Sequence, residues 1–237
     1  MLRAIDKRLH NKYHHSSGKY VKSFVYGGLD GIITTFAVVA GSTGAALSSK
    51  VLLILGFANL IADGISMSVG DYLSSKAENE YYAAERKRHE KIRKNGIGEI
   101  TQYYMEKGMM EKDAKEIAKM IAKNKENAVD VMMTYEYGLV GSNENPVKNS
   151  IFTLLSFIIF GFVPLLTYVL SPGMQNVTFS SFEAASFLTG ITLFVLGAGK
   201  AKLTKRNFAL SGIEMLVVGG LAAISAYYIG YALSALI

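Results

Sequence analysis

Cysteine and tryptophan are both absent from this sequence of 237 residues. Without cysteine, disulfide bonds, zinc–thiolate sites, iron–sulfur clusters and cysteine catalysis are all excluded. Without tryptophan, any aromatic belt at a membrane surface has to consist of tyrosine and phenylalanine. The basic N-terminal stretch MLRAIDKRLHNKYHHSSGKY has no uninterrupted apolar core followed by a cleavage site. We therefore do not expect a signal peptide here.

Charged residues make up only 19% of the chain, whereas hydrophobic residues make up 50%. This balance is typical of several membrane spans combined with one polar region. Apolar runs predict five spans, at residues 23–47, 51–73, 151–170, 184–199 and 208–233. The expected fold is all-α: an integral membrane bundle of five transmembrane helices with an inserted cytosolic helical domain. The expected segments are a cytosolic N-terminal segment (1–22), spans one and two (23–75), a cytosolic metal-binding domain (76–148) and spans three to five (149–237).

The inserted segment 76–148 is charged, and its apolar residues recur at the spacing of amphipathic helices. No turn signal occurs between Ser74 and about Arg93. We therefore predict that the second span continues out of the membrane as one long helix.

Lysine and arginine are distributed very unequally around the five predicted spans. Six precede the first span, 14 lie in the inserted segment and four lie between the last two spans, whereas only Lys50 lies in the first hairpin. The positive-inside rule then places the N-terminus in the cytosol and the C-terminus in the lumen or outside. This distribution accounts for the net charge of +6 without nucleic-acid binding.

Acidic residues inside spans are rare because an ionised side chain at the bilayer centre costs at least about 2.5 kcal/mol. Asp30 lies in the first span between Gly27 and Gly31, which form a G-x-x-x-G pair that lets another helix approach closely. Asp30 is therefore a candidate for an ion path. The alternative is a helix-packing seam that carries an incidental acid.

A polar stripe runs along the second span, because Asn59, Asp63, Met67 and Asp71 follow one another at intervals of four residues. On an ideal helix these residues share a face about 120° wide. Carboxylate, amide and thioether groups together suit a borderline divalent transition metal better than magnesium or calcium. The alternative for Met67 taken alone is ordinary packing.

Two motifs, GGLDGIITTFAVVAGSTGA and ANLIADGISMSVGDYLSSKAE, resemble the first two spans of the vacuolar iron transporter family, which includes fungal iron and manganese carriers as well as plant and protist transporters. FGFVPLL and SGIEMLVVGGLAAISAYYIG are similar to later spans of that family. The resemblance covers nearly the whole chain from about Lys19. It implies a homodimer with the ion path at the dimer interface, and proton-driven export of ferrous iron from the cytosol into an acidic compartment.

The resemblance also implies roles for residues of the path. The family's translocation aspartate falls on Asp30, and its path methionine falls on Met67. The family often has a glutamate eight residues before that methionine, where this chain has Asn59. Whether Asp63, one turn later, takes over that role stays open.

A cytosolic metal site is implied by the same resemblance, with paired glutamates at E-x-x-E spacing and a Met-Met-x-x-Glu helix. The second motif is intact as Met132, Met133 and Glu136. Glu85 and Glu99 fall at positions of the first motif, but their partner positions are occupied by Arg88 and Gly96. Nearby substitute ligands are His89 and Glu90. The alternative for each of these residues is a solvated charged helix.

The expected protein carries no prosthetic group and transports Fe²⁺, with Mn²⁺, Co²⁺ and Zn²⁺ as open alternatives. Its expected partners are a second copy, membrane lipid, the metal ion and protons, with no nucleic acid. The expected location is a vacuolar or other acidic organelle membrane, or the plasma membrane in a prokaryote.

Two other classes of function remain open as alternatives. A membrane-anchored, ferritin-like iron oxidase would need Glu-x-x-His units, and the chain contains none. A membrane sensor or scaffold that binds metal without moving it is disfavoured by carboxylates at matching depth in two spans.

Overall fold

A computed structural model of the chain describes residues 20–92, 96–138, 145–171 and 180–236. All regular elements in these ranges are helices, which confirms the all-α prediction. In chain order they are α1 Val21–Gly44, α2 Ser49–Ile92, α3 Ile97–Glu106, α4 Glu111–Ala122, α5 Lys125–Tyr137, α6 Pro146–Leu170, α7 Ser181–Thr204 and α8 Phe208–Leu236.

Five of these helices are long and apolar enough to cross a membrane: α1, α2, α6, α7 and α8. They contain the five predicted spans almost completely. Four of them begin earlier than predicted, and for two of these the structure shows a local reason. Helix α6 begins at Pro146, a residue whose fixed φ and missing N–H suit the first helical position. Helix α7 begins after a capping box formed by Ser180 and Glu183.

Helix α2 runs for 44 residues without a break, as the sequence predicted from the absence of a turn signal. Its first half is the second apolar span and its second half is charged. The chain divides into two compact units within this helix. We call Met1–Tyr72 with Pro146–Ile237 the membrane unit, and Leu73–Asn145 the polar unit. That the polar unit lies in the cytosol stays a prediction.

Glycines bring the helix backbones of the membrane unit into direct contact. A Cβ atom built on Gly27 or Gly31 of α1 would collide with the backbone carbonyls of Thr153 and Phe157 on α6. The G-x-x-x-G pair is thus a close packing seam, as predicted. At the other end of α1, Gly44 meets the backbone of Tyr227 on α8 in the same way.

Helix α2 joins the membrane unit through side chains. Leu52 and Leu60 are buried in a core cluster that also contains Phe157 and Leu165 of α6. Most other apolar residues of this half of α2 are exposed, including Ile61 at 49%. This helix therefore presents one buried face and a broad open face.

The polar unit has a small core of its own, built from Ile100 of α3, Ala118 of α4 and Met132 of α5. Asn124 caps α5 by accepting hydrogen bonds from the backbone N–H groups of Glu126 and Asn127. The helix ends at Gly138, whose φ of 62° lies in the left-handed region that favours glycine.

Candidate functional site

The polar stripe lies along the border between the buried and the open face of α2. All four of its residues are partly buried, whereas Leu60 and Gly64 beside it are buried and Ile61 and Ile65 are exposed. Each side chain of the stripe therefore touches the bundle and still has an open side. Such a border is a suitable wall for an ion path, provided that a second surface closes it.

Asp71 and Asn59 mark the two ends of the stripe. Thr153 of α6 donates a hydrogen bond from Oγ1 to Oδ2 of Asp71 at 2.5 Å, so this carboxylate is held against the neighbouring helix. Asn59 Nδ2 is buried without a hydrogen-bond partner among the described residues. A buried donor left in this state costs about 1–3 kcal/mol, so an acceptor from outside the single chain would stabilise the site.

Asp30 of α1 and Asp63 of α2 form the centre of the candidate path. Both are partly buried, and their carboxylates are close enough to repel each other. Thr34 donates its hydroxyl to the backbone carbonyl of Asp30 at 2.8 Å. The seam glycines therefore do not make Asp30 incidental, because its carboxylate lies within electrostatic range of a second acid on another helix.

Met67 packs against the core cluster of the membrane unit and is partly buried. The packing alternative thus accounts for part of this side chain. Its place on the stripe, one turn after Asp63 and one turn before Asp71, still leaves the thioether on the same helix face as these two acids. The arrangement offers two hard oxygen ligands and one soft sulfur ligand in neighbouring turns.

In the polar unit, the two predicted methionine ligands form part of the core. Met132 is 4% exposed and Met133 is completely buried. The sulfur of Met132 fills the space where Gly96 has no side chain, and Oε2 of Glu99 lies 3.7 Å from the same position. Met132 and Glu99, candidate ligands from the two different motifs, therefore lie near the same point beside Gly96.

The remaining acids of the predicted cytosolic site lie beside arginines. Arg88 Nη1 lies 3.8 Å from Oε2 of Glu85, and Arg86 Nη1 lies 3.1 Å from Oε1 of Glu90. His89 is buried at 6% exposure. Glu85 and Glu90 therefore have cationic neighbours where the hypothesis placed a metal ion.

Among the described residues, no three His, Asp or Glu side chains come together closely enough to hold a metal ion. Glu136 belongs to the last turn of α5, and its side chain lies outside the described part. A metal site in the polar unit would therefore need the methionine sulfurs, Glu136, or ligands from a second copy.

Three contacting residues were missed by the sequence analysis: Thr153, Arg86 and Asp130. Arg86 donates from Nε to Oδ1 of Asp130 at 3.1 Å and so joins α2 to α5. The four-residue spacing of Arg86 and Glu90 was a usable signal for an ion pair. No local pattern pointed to Thr153 or Asp130, because both contacts join residues far apart in sequence.

Glu214, an acid inside the fifth span, is paired with a cation in the structure. Lys200 Nζ on α7 lies 3.6 Å from its Oε2 on α8. Glu214 therefore differs from Asp30 and Asp63, for which no cationic partner occurs among the described residues.

Comparisons with known proteins show which family the chain resembles along its length. The sequence model of the VIT family matches residues 21–231. The chain is 37% identical to a vacuolar iron transporter of Toxoplasma gondii, over 93% of this chain and 77% of that protein. It is 33% identical to a vacuolar iron transporter of Plasmodium falciparum, over 97% of this chain and 87% of the relative. It is 29% identical to vacuolar iron transporter 1 of Arabidopsis thaliana, over 92% and 88% respectively.

Proposed function

Because the chain belongs to the VIT family, we propose that this multi-pass membrane protein carries ferrous iron from the cytosol into an acidic compartment, such as a vacuole, in exchange for protons. The observation that carries the proposal is that Asp30 and Asp63, on two different helices, lie within electrostatic range of each other. Neither carboxylate has a cationic partner among the described residues. Two ionised acids inside apolar spans are costly, and a divalent cation bound between them would offset that cost.

Proton exchange follows from the chemistry of these ligands. A metal ion binds deprotonated carboxylates, so metal and protons compete for Asp30 and Asp63. On the acidic side, protons displace the metal from these carboxylates. The protonated site then opens to the cytosol and releases the protons there. Met67 contributes a soft ligand that favours a transition metal over magnesium or calcium.

A homodimer would close the open side of the polar stripe. Three exposed residues along one edge of the stripe are small: Ala62, Ser66 and Gly70. Small residues at four-residue spacing let two membrane helices approach closely. A second copy of α2 across a two-fold axis would then bring two stripes together around one path and offer Asn59 an acceptor.

The polar unit serves in this proposal to collect the metal on the cytosolic side. Its candidate ligands are Glu99, Met132, Met133 and Glu136, with Glu85, His89 and Glu90 nearby. Two soft sulfurs beside carboxylates again favour a transition metal. Loading here would raise the local concentration of iron without forming the path itself.

Uptake into sealed vesicles tests the proposal directly. The purified protein is reconstituted, an acidic interior is imposed, and the entry of radioactive ferrous iron is followed together with the interior pH. We expect iron entry to require the pH gradient and to raise the interior pH. Iron binding without entry would instead support a sensor, and gradient-independent entry would rule out proton exchange.

The preferred metal is a second question that the same vesicles answer. Mn²⁺ is the first alternative substrate, because the oxygen and thioether ligands fit it as well. Competition between Mn²⁺ and ferrous iron for entry distinguishes an iron carrier from a broad divalent-metal carrier.

The topology is tested by protease or glycosylation mapping. We expect the N-terminus on the cytosolic side and the C-terminus on the opposite side, because nearly all lysine and arginine residues flank one side of the five spans. Both termini on one side would contradict five crossings.

A further inference from the structure

Two arginines in the second half of α2 neutralise three carboxylates of the polar unit. Arg86 donates to Glu90 on its own helix and to Asp130 on α5, both at 3.1 Å. Arg88 lies 3.8 Å from Glu85. Two of these three acids, Glu85 and Glu90, are candidate metal ligands, so guanidinium groups occupy ligands that a metal ion would use.

We propose that Arg86 is a resident cation of the polar unit, which a divalent metal has to displace from Glu90 before the unit can load. This inference rests on the proposed cytosolic loading step. It makes that step regulated: the guanidinium lowers the affinity for metal, so the polar unit loads only above a threshold concentration of metal. Arg86 acts through the acids that it holds, so it is a positioning residue.

The geometry of Arg86 supports this role. Its Nε and Nη1 atoms reach acids from two different helices, which is the bridging that a divalent cation performs with two carboxylates. The guanidinium stays charged at every physiological pH, so protonation changes do not release the acids. The side chains of Arg86 and Glu90 are 29% and 34% exposed, so a metal ion can reach them from solvent.

The departures from the family pattern in this unit point in the same direction. Arg88 stands where an E-x-x-E motif would have its second glutamate, and it lies beside the first glutamate, Glu85. Gly96 stands at another such position, and the sulfur of Met132 fills its place. At both positions the chain has, in place of a potential ligand, a residue whose contact does not involve a metal.

The test uses the full-length protein in detergent, with Mn²⁺ as the probe and electron paramagnetic resonance to count free Mn²⁺. Arg86→Gln removes the guanidinium and keeps a similar volume. Lys87→Gln is the matched control, because it removes the same charge from an exposed neighbour that has no ion pair among the described residues.

We expect Arg86→Gln to lower the Kd for Mn²⁺ about 10-fold, a size typical of changes around the ligands of a metal site. Lys87→Gln should change it by less than about 2-fold, because an exposed charge is largely screened. Mn²⁺ should also raise the Tm of Arg86→Gln more than that of the parent. Adding Glu90→Gln to Arg86→Gln should abolish the gain in affinity.

Weaker or unchanged Mn²⁺ binding in Arg86→Gln would overturn the proposal, as would an equal gain in Lys87→Gln. If Arg86→Gln does not fold, Arg86→Lys serves instead, since it keeps the charge but cannot bridge two acids; a tighter Kd supports the proposal and an unchanged one overturns it. Vesicle uptake is a separate measurement. Iron entry in the parent with no effect of Arg86→Gln on Mn²⁺ binding refutes this inference alone, whereas absent iron entry refutes the proposed function.

Discussion

In the membrane unit, Asp30 and Asp63 lie close together without a cationic partner among the described residues. In the polar unit, by contrast, Glu85, Glu90 and Asp130 each lie beside an arginine. An unpaired acid is far more costly in an apolar span than at a solvated surface. The unpaired acids therefore lie where their cost is highest, which is the placement expected of groups kept for a transported cation.

The largest effect should come from the unpaired acids. Asp30→Asn removes a negative charge from the path, and we expect proton-coupled iron uptake to fall about 100-fold or more, as when a metal site loses a ligand. Radioactive iron entry into vesicles measures it. Glu214→Gln is the control, because this acid has Lys200 as a partner. Equal losses in both variants would remove the distinction between paired and unpaired acids.

The sulfur of Met67 is the next test of the membrane unit. Met67→Leu conserves volume at a cost of less than about 1.5 kcal/mol, so packing survives while the ligand is lost. We expect iron uptake to fall about 10-fold or more. Met215→Leu is the matched control, because Met215 is a buried methionine of α8, away from the polar stripe. Parental uptake by Met67→Leu would show that this thioether only packs.

Ligands of the polar unit should matter less, because they load the path without forming it. Met133→Leu with Glu136→Gln should weaken Mn²⁺ binding and slow iron uptake about 3-fold to 10-fold without abolishing it. Leucine is used because Met133 is completely buried, and alanine would leave a cavity costing about 2–5 kcal/mol. Met120→Leu, at an exposed methionine of α4, is the control. Complete loss of uptake in a folded variant would show that these ligands belong to the translocation path itself.

The smallest effect is expected at Thr153. Thr153→Val removes the hydrogen bond to Asp71 and keeps the shape of the side chain. We expect uptake to change about 2-fold to 5-fold, the equivalent of one hydrogen bond of about 1 kcal/mol. Thr153→Ser, which keeps the hydroxyl, should behave like the parent. A serine variant as impaired as the valine variant would assign the effect to packing.

Local patterns in the sequence were enough to predict the five spans and the long helix α2. Span length, apolar runs and the absence of turn residues after Ser74 are properties of short segments. The polar stripe was also predictable, because helical spacing alone places its four residues on one face.

Contacts between distant segments were not predictable in the same way. The hydrogen bond from Thr153 to Asp71 and the ion pair of Arg86 with Asp130 join helices separated by long stretches of chain. Periodicity placed Met133 among the apolar residues of an amphipathic helix, but its complete burial depends on how the short helices of the polar unit pack. The sequence supported the ligand hypothesis for this residue, and the structure adds that it is also part of the core.

The glycine seams of α1 have a mechanical consequence. Backbone meets backbone at Gly31 with α6 and at Gly44 with α8, and such contacts have no rotamers to exchange. Within the membrane unit, α2 meets α6 through side chains such as Leu60, which can slide by small rotamer changes. Helices α1, α6 and α8 are thus held together by backbone contacts, whereas side-chain contacts hold α2. We expect a shift of α2 to change the distance between Asp63 and Asp30, because Asp30 lies on the helix that the backbone contacts hold.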